Sequence, residues 1–282
     1  MPSNRHPYTG CDIALLTQHG KEAILAPVLE PALGCRVRRV QGYDTDRLGT
    51  FTRDIPRAGT QIEAARRKAR IGMELSGLPL ALASEGAFGA DPYLAAVPWN
   101  TEIVMLVDDL HGIEVLGQAQ QATRFAHLLT GDWEEARRFA EVAGFPDHHL
   151  VVRPAHPDDP RIDKGLASWS ALERAFEHAR ALAENGLVCL EHDVRAHAHP
   201  TRREVIRAAA EDLCAKLLSL CPECGAPGYW RLERLPGLPC ADCGAPTRET
   251  RAEVWGCARC SRRETHALEG LADPGHCDFC NP

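Results

Sequence analysis

The sequence predicts an α/β protein with a mixed, mainly parallel sheet flanked by helices over residues 1–218, followed by a small double zinc ribbon over residues 219–282. Two observations predict it. Short apolar runs alternate with stretches of helical periodicity as far as Leu218, the order that builds parallel sheets. Eight of the 12 cysteines then fall between residues 221 and 280 as four Cys-x-x-Cys pairs.

The composition, 44% apolar and 25% charged, is that of a chain able to bury a core, which argues against intrinsic disorder. No run approaches the roughly 18 apolar residues of a membrane helix. The opening Met-Pro-Ser-Asn-Arg-His-Pro lacks the apolar stretch of a secretory signal. A cytoplasmic protein with no membrane partner is expected.

Residues 12–17 form the first apolar strand, and His19-Gly20 turns the chain into a helix with Ile24, Val28 and Leu29 on one face. Gly34 stops that helix. Residues 35–41 are the second strand. The Gly-, Thr-, Asp- and Pro-rich stretch 42–59 reads as a long loop, with Asp44-Thr45-Asp46 and Gly49-Thr50-Phe51-Thr52 as a candidate lid. Thr60 and Glu63 have the spacing of a capping box, opening a helix to about Leu75. Leu78–Ala83 is a third strand leading into a turn at Ser84–Gly89. A hairpin joins 102–107 to 113–117. Helices at Asp132–Val142 and Leu166–Glu184 alternate with strands at His149–Arg153 and Leu187–Leu190. Pro200–Leu218 is the last helix, proline being tolerated in its first turn.

In a reducing compartment, paired cysteines argue for metal thiolates. Four knuckles (Cys221/Cys224, Cys240/Cys243, Cys257/Cys260, Cys277/Cys280) make two tetrahedral, structural zinc sites. Consecutive and nested pairings of the knuckles are both open. The compact stretch from Cys240 to Cys260 favours nesting, with Cys221/Cys224 and Cys277/Cys280 closing around an inner ribbon. Residues 221–282 carry seven basic and nine acidic side chains, so no basic footprint marks a nucleic-acid partner. A homodimer or a protein partner met through the ribbons is the expected association.

Polar residues gather where strands give way to helices, which is where open α/β sheets bind ligands. Gly20 and Lys21, after His19, open a helix and suit an anion. Glu63 and Lys68 follow on the next helix, and Glu85 follows the third strand. Lys68 is a further phosphate-binding candidate. The cluster from Glu191 to Arg202 offers Arg195 and Arg202 as phosphate forks. It also offers Glu191, Asp193, His197 and His199 as metal ligands or general acid/base groups, with His197 as the catalytic candidate.

In order and spacing, Gln18-His19-Gly20-Lys21, Thr60 to Ala69 and Ser84-Glu85-Gly86-Ala87 resemble motifs of the house-cleaning nucleotide pyrophosphatases, which hydrolyse inosine and xanthosine triphosphates. The resemblance covers roughly the first 90 residues and implies an ITPase-like fold. It implies that Lys21 holds phosphate, that Glu63 and Glu85 hold Mg²⁺, and that Glu85 orients the attacking water; apart from the resemblance, Asp193 of the Glu191–Arg202 cluster is a further candidate ligand and Mn²⁺ an alternative ion. Gln18 replaces an asparagine of the motif, and Ser84 replaces its first carboxylate. Over nearly its full length the chain is similar to a bacterial domain-of-unknown-function family, number 6671. The residues that carry this similarity include Asn100-x-Glu102, Asp193-x-Arg195-Ala196-His197 and Pro200-Thr201-Arg202. The reading is a metal-dependent hydrolase of a nucleotide or other phosphorylated small molecule. The alternative is a non-catalytic ligand-sensing adaptor whose ribbons bind a partner protein.

Overall fold

Alternation along the first strand sets the layers. In β1 (Asp12–Leu16), Ile13 and Leu15 face one way and Ala14 and Leu16 the other, each at most 1% exposed. A strand buried on both faces needs cover on both, and two helices supply it. The computed structural model describes residues 5–18, 20–45, 59–91, 97–123 and 125–282. His19, Asp46 and the Gly49–Thr52 part of the expected lid lie outside the described residues.

α1 (Glu22–Leu33) leads to β2 (Arg36–Val40), which pairs parallel with β1. α2 (Gln61–Ser76) leads to β3 (Leu80–Ala90), parallel to β1 on its other side. α1 packs Ile24, Leu25 and Leu29 against Ile13 and Leu15. α2 packs Ala65, Ala69 and Met73 against Ala14 and Leu16. The two connections therefore lie on opposite faces, and the crevice at the carboxyl ends of β1 and β3 is a topological switch point. Pro27 and Pro31 lie inside α1, where each deletes a hydrogen bond. Both are exposed, so water meets the orphaned carbonyls, while the buried face of α1 holds the helix in place.

The sheet is mixed, but the mainly parallel expectation is corrected. In the order β2-β1-β3-β4-β5 only the β2-β1-β3 part is parallel. β4 (Pro98–Asp108) and β5 (Ile113–Ala122) add antiparallel strands. The expected turn at Ser84–Gly89 is instead the middle of β3, with Ser84 opposite Val104 and Gly86 opposite Glu102. Gly86 mimics turn chemistry but serves close approach. A Cβ on Gly86 would lie 2.2 Å from Glu102 Oε1 and 2.5 Å from Arg202 Nη2.

A second sheet, missed in the sequence, has the order β6-β9-β7-β8 and is antiparallel throughout. Its strands are β6 (His127–Thr130), β7 (Leu150–Pro154), β8 (Asp163–Leu166) and β9 (Val188–His192). α3 (Trp133–Ala143) and α4 (Trp169–Leu182) cover it around Leu150, Val152, Phe176 and Leu190. α5 (Pro200–Leu218) then returns to the first sheet beside α1, burying Ile206, Ala209 and Leu213. Asp212 accepts from Gln118 N–H and Lys216 donates to Leu116 C=O, so α5 also satisfies groups on the open edge of β5. Beyond α5, β10 (Trp230–Pro236), β11 (Thr250–Gly256) and β12 (Arg263–Ala267) form a three-stranded antiparallel sheet. Among the described residues no helix is long and apolar enough to cross a membrane.

Arg202 joins these layers. Its Nε lies 2.7 Å from Glu102 Oε1 on β4, and its Nη1 donates to Val194 C=O at 2.6 Å, just beyond β9. Removing one partner of such a buried pair strands the other charge. Arg202→Met is expected to cost about 3–5 kcal/mol in urea unfolding. The double variant Glu102→Leu/Arg202→Met is expected to cost clearly less than the single one. Equal losses in the two variants would mean that the pair carries no buried-charge penalty.

Candidate metal centres and switch-point site

The eight knuckle cysteines form two groups, Cys221, Cys224, Cys257 and Cys260, and Cys240, Cys243, Cys277 and Cys280, with the sulfurs of each group within 4.8 Å of one another. A zinc tetrahedron with metal–sulfur bonds of about 2.3 Å has edges of about 3.8 Å. The Sγ–Sγ distances of 3.8 and 3.6 Å in both groups fit it. Each group can therefore hold one structural zinc.

Neither the nested nor the consecutive pairing is correct. First knuckle joins third and second joins fourth, so the sites interleave. The reason is a repeat. Cys221-Pro-Glu-Cys224-Gly225-Ala226-Pro227 and Cys240-Ala-Asp-Cys243-Gly244-Ala245-Pro246 make the same turn, Cys N–H to Ala C=O, with the glycine at φ 71 in both. Each such turn takes a partner knuckle further along the chain, Cys221/Cys224 across β10 and β11 and Cys240/Cys243 across β11 and β12. Backbone N–H groups of Cys280 and Phe279 pull the Cys277 thiol down to about 7. At Cys221 burial opposes the shift, but the N–H groups of Cys224 and Glu223 carry it to about 7 as well. One thiol in each group is thus half-way to the thiolate that a metal requires.

At the switch point Lys21 ends the turn after β1 and reaches across to β3. Its ammonium donates to Ser84 C=O at 2.8 Å and to Ser84 Oγ at 3.1 Å. It is buried, which pulls it down to about 7. The charges of Lys68 and Arg202 act in the same direction, and Glu85 and Glu102 act against it. Beside the crevice, a cavity of about 220 Å³ at the ends of β1 and β2 is lined by Thr17, Gln18, Arg39, Gly42 and Tyr43, among others. Gln18 there bonds Asp44 and Thr45, which fixes the first part of the expected lid.

The carboxylates do not assemble with Lys21. Glu85 points to the other face of the sheet and pairs with Lys68 at 3.0 Å, both nearly buried. Glu63 closes the expected capping box with Thr60, whose backbone and hydroxyl hydrogen bonds hold it below the usual carboxylate range. Asp193 is buried and gripped by Arg195. Burial pushes its carboxyl up, but the Arg195 hydrogen bonds and charge outweigh that and leave it low. Among the described residues, Glu63, Glu85 and Asp193 form no metal-binding group. The Mg²⁺ or Mn²⁺ site implied by the pyrophosphatase resemblance does not fit them, and no step through such an ion is derived.

The Glu191–Arg202 cluster divides. Glu191 and His192 end β9, and His199 caps α5 through Nδ1, which accepts from Arg202 N–H. Arg202 is committed to Glu102, Arg195 to Asp193. His197 is exposed, and partial desolvation together with the Arg195 charge holds it below its ordinary value. Glu102, the buried counter-charge, was not singled out as a site residue. Its alternation with buried Val104 and Leu106 on one face of β4 was the available signal.

Fold and sites together define an α/β protein with two sheets before residue 219 and a third beyond it, beside an interleaved pair of four-cysteine groups that could each hold a metal ion. The chain belongs to the family described as Domain of unknown function (DUF6671), whose model matches residues 68–282. No curated protein and no solved structure matches it. Lys21 and Glu63 lie before the matched region.

The pairing makes a stoichiometric prediction. Cys221→Ser and Cys257→Ser should each leave one zinc per chain, and so should the two changes combined. Cys221→Ser with Cys240→Ser should leave none. Zinc counted by inductively coupled plasma emission on folded, chelator-washed protein distinguishes the schemes.

Proposed function

We propose that the protein is a sensor that binds a phosphorylated small molecule of the nucleotide class, with the ligand's anionic group seated at the β1–β3 switch point. The zinc module stabilises the C-terminal part and offers its surface to a protein partner or a second copy. Lys21 carries the reading. Burial and the charges of Lys68 and Arg202 disfavour the Lys21 ammonium more than Glu85 and Glu102 support it, and an anion beside it would add to that support. Among the described residues two of its three donors go to Ser84, and the third could meet the ligand. The adjoining cavity gives the ligand room.

Sensing is favoured over hydrolysis by the state of the carboxylates. Glu85, the residue expected to orient water, is neutralised by Lys68, and Glu63 is spent on a helix cap. Calorimetry with pyrophosphate, ADP and inosine triphosphate, alongside a phosphate-release assay on the same samples, tests the reading. Binding without release, weakened at least tenfold in Lys21→Met, is the expected result. Release that vanishes in Glu85→Gln would replace the sensor with a hydrolase, and absence of binding would end both readings.

The sign of the Lys21 shift gives two pH effects. Its folded value is below its unfolded one, so between about 7 and the ordinary lysine value the unfolded chain binds more protons. Stability should therefore rise with pH across that window, and Lys21→Met should remove this part of the slope in urea titrations. An anion that restores the ammonium should draw in a proton near pH 8. The binding heat should then differ between buffers of different ionisation enthalpy for wild type, and not for Lys21→Met.

A further inference from the structure

The two four-cysteine groups differ in their access to solvent. In the first, Cys221 is buried and Cys224, Cys257 and Cys260 are half-buried. In the second, Cys240 and Cys277 are buried, while Cys243 and Cys280 are exposed. The difference follows from what each turn packs on. The first turn runs on to Gly228, whose N–H donates to the carbonyls of Lys216 and Ser219 at the end of α5. A Cβ on Gly228 would lie 2.8 Å from Val115 on β5, so this group is seated against the first sheet. The second turn runs on to Thr247, which donates to Leu238 C=O inside the zinc module. Around its two exposed cysteines, Asp242, Gly244, Asp278 and Phe279 are exposed as well.

A four-thiolate zinc site has no open coordination position, so its reactivity lies at sulfur. Metal binding keeps all of its cysteines deprotonated, and oxidants then select the thiolates that water reaches. Cys243 and Cys280 are exposed, belong to different knuckles, and have their sulfurs within 4.8 Å of each other. A peroxidatic thiolate and a resolving one are thus side by side. We infer that the second group is a peroxide-sensitive site, at which oxidation joins Cys243 to Cys280 and releases the metal, while the first group keeps its own.

The chemistry balances. One exposed thiolate attacks a peroxide oxygen, breaking the O–O bond to leave a sulfenic acid and hydroxide. The other thiolate attacks that sulfur, forms the S–S bond and expels a second hydroxide. Two protons from solvent convert both hydroxides to water. The sulfurs give up two electrons and the peroxide takes them. Cys240 and Cys277, the two thiolates left, no longer make a closed tetrahedral set. Backbone bonds keep the module in register meanwhile. Ala272 N–H donates to Pro239 C=O at 2.8 Å, and Ala241 N–H donates to Ala272 C=O at 3.0 Å, holding the Cys240 knuckle beside the segment that leads to Cys277. Reduction therefore restores the four-thiolate set.

The test uses the whole chain reconstituted with zinc, graded hydrogen peroxide, and the dye pyridylazoresorcinol to count released ions. Two zinc ions per chain should load, and one should leave at least tenfold faster than the other. Peptide mapping by mass spectrometry at the end of the fast phase should show the Cys243–Cys280 bridge, and dithiothreitol with zinc should reverse it. Cys221→Ser, which keeps only the second group, should show the fast phase alone, and Cys240→Ser the slow phase alone. Two ions leaving together, a first bridge at any other pair, or loss of the fast ion to the dye without peroxide would each overturn the inference. So would a chain that takes up a single zinc. The wild-type kinetics and map decide even if the serine variants do not fold. None of these readouts involves Lys21, so this test and the phosphate test fail separately.

Discussion

A single buried ion pair fixes the relation among the parts of the N-terminal region. Arg202 is 1% exposed and Glu102 is fully buried, so neither charge has water to fall back on. The guanidinium binds a carboxylate on the first sheet and a carbonyl just beyond the second, while its own helix packs on the first. Gly86 is where it is because any side chain would occupy the same space. The pair therefore dictates a residue on β3, a residue on β4 and the entry of α5.

Helix boundaries were legible in the sequence because caps are local. Thr60 and Glu63 form the capping box that their spacing predicts, and Pro200–Leu218 forms as read. Sheet pairing was not legible to the same degree. Ser84, Gly86 and Gly89 have turn chemistry, and only contact with a strand and a helix distant in sequence reveals them as the middle of β3. Two strands of the second sheet, β7 and β9, were legible as apolar runs, whereas β6 (His127–Thr130) and β8 (Asp163–Leu166) are short and mostly unburied, and that the four pair apart from the first sheet is set by tertiary contact.

Of the candidate residues, the cysteines were legible because thiolate chemistry needs no partner beyond other cysteines. The charged candidates were ambiguous, since the residues that bind an anion are also those that make internal ion pairs. Lys68, Arg195 and Arg202 took the second course, and Lys21 is held between the two. The interleaving of the knuckles was present in the spacing. Cys221 to Cys240 is 19 residues and Cys257 to Cys277 is 20, so two nearly equal units are offset along the chain. That regularity is visible only when knuckles are compared in alternate pairs.

Interleaving has a topological result. No single cut between Cys224 and Cys277 yields two fragments that each keep a whole metal centre, because one chain segment always belongs to both circuits. Synthesis meets the same ordering. By the time Cys260 closes the first circuit, the second already holds Cys240 and Cys243 and must wait for Cys277 and Cys280. The module is thus knit like a two-strand plait, and after a proteolytic nick between β10 and β11 its halves would still be joined by the β10–β11 ladder as well as by any metal held in the four-cysteine groups.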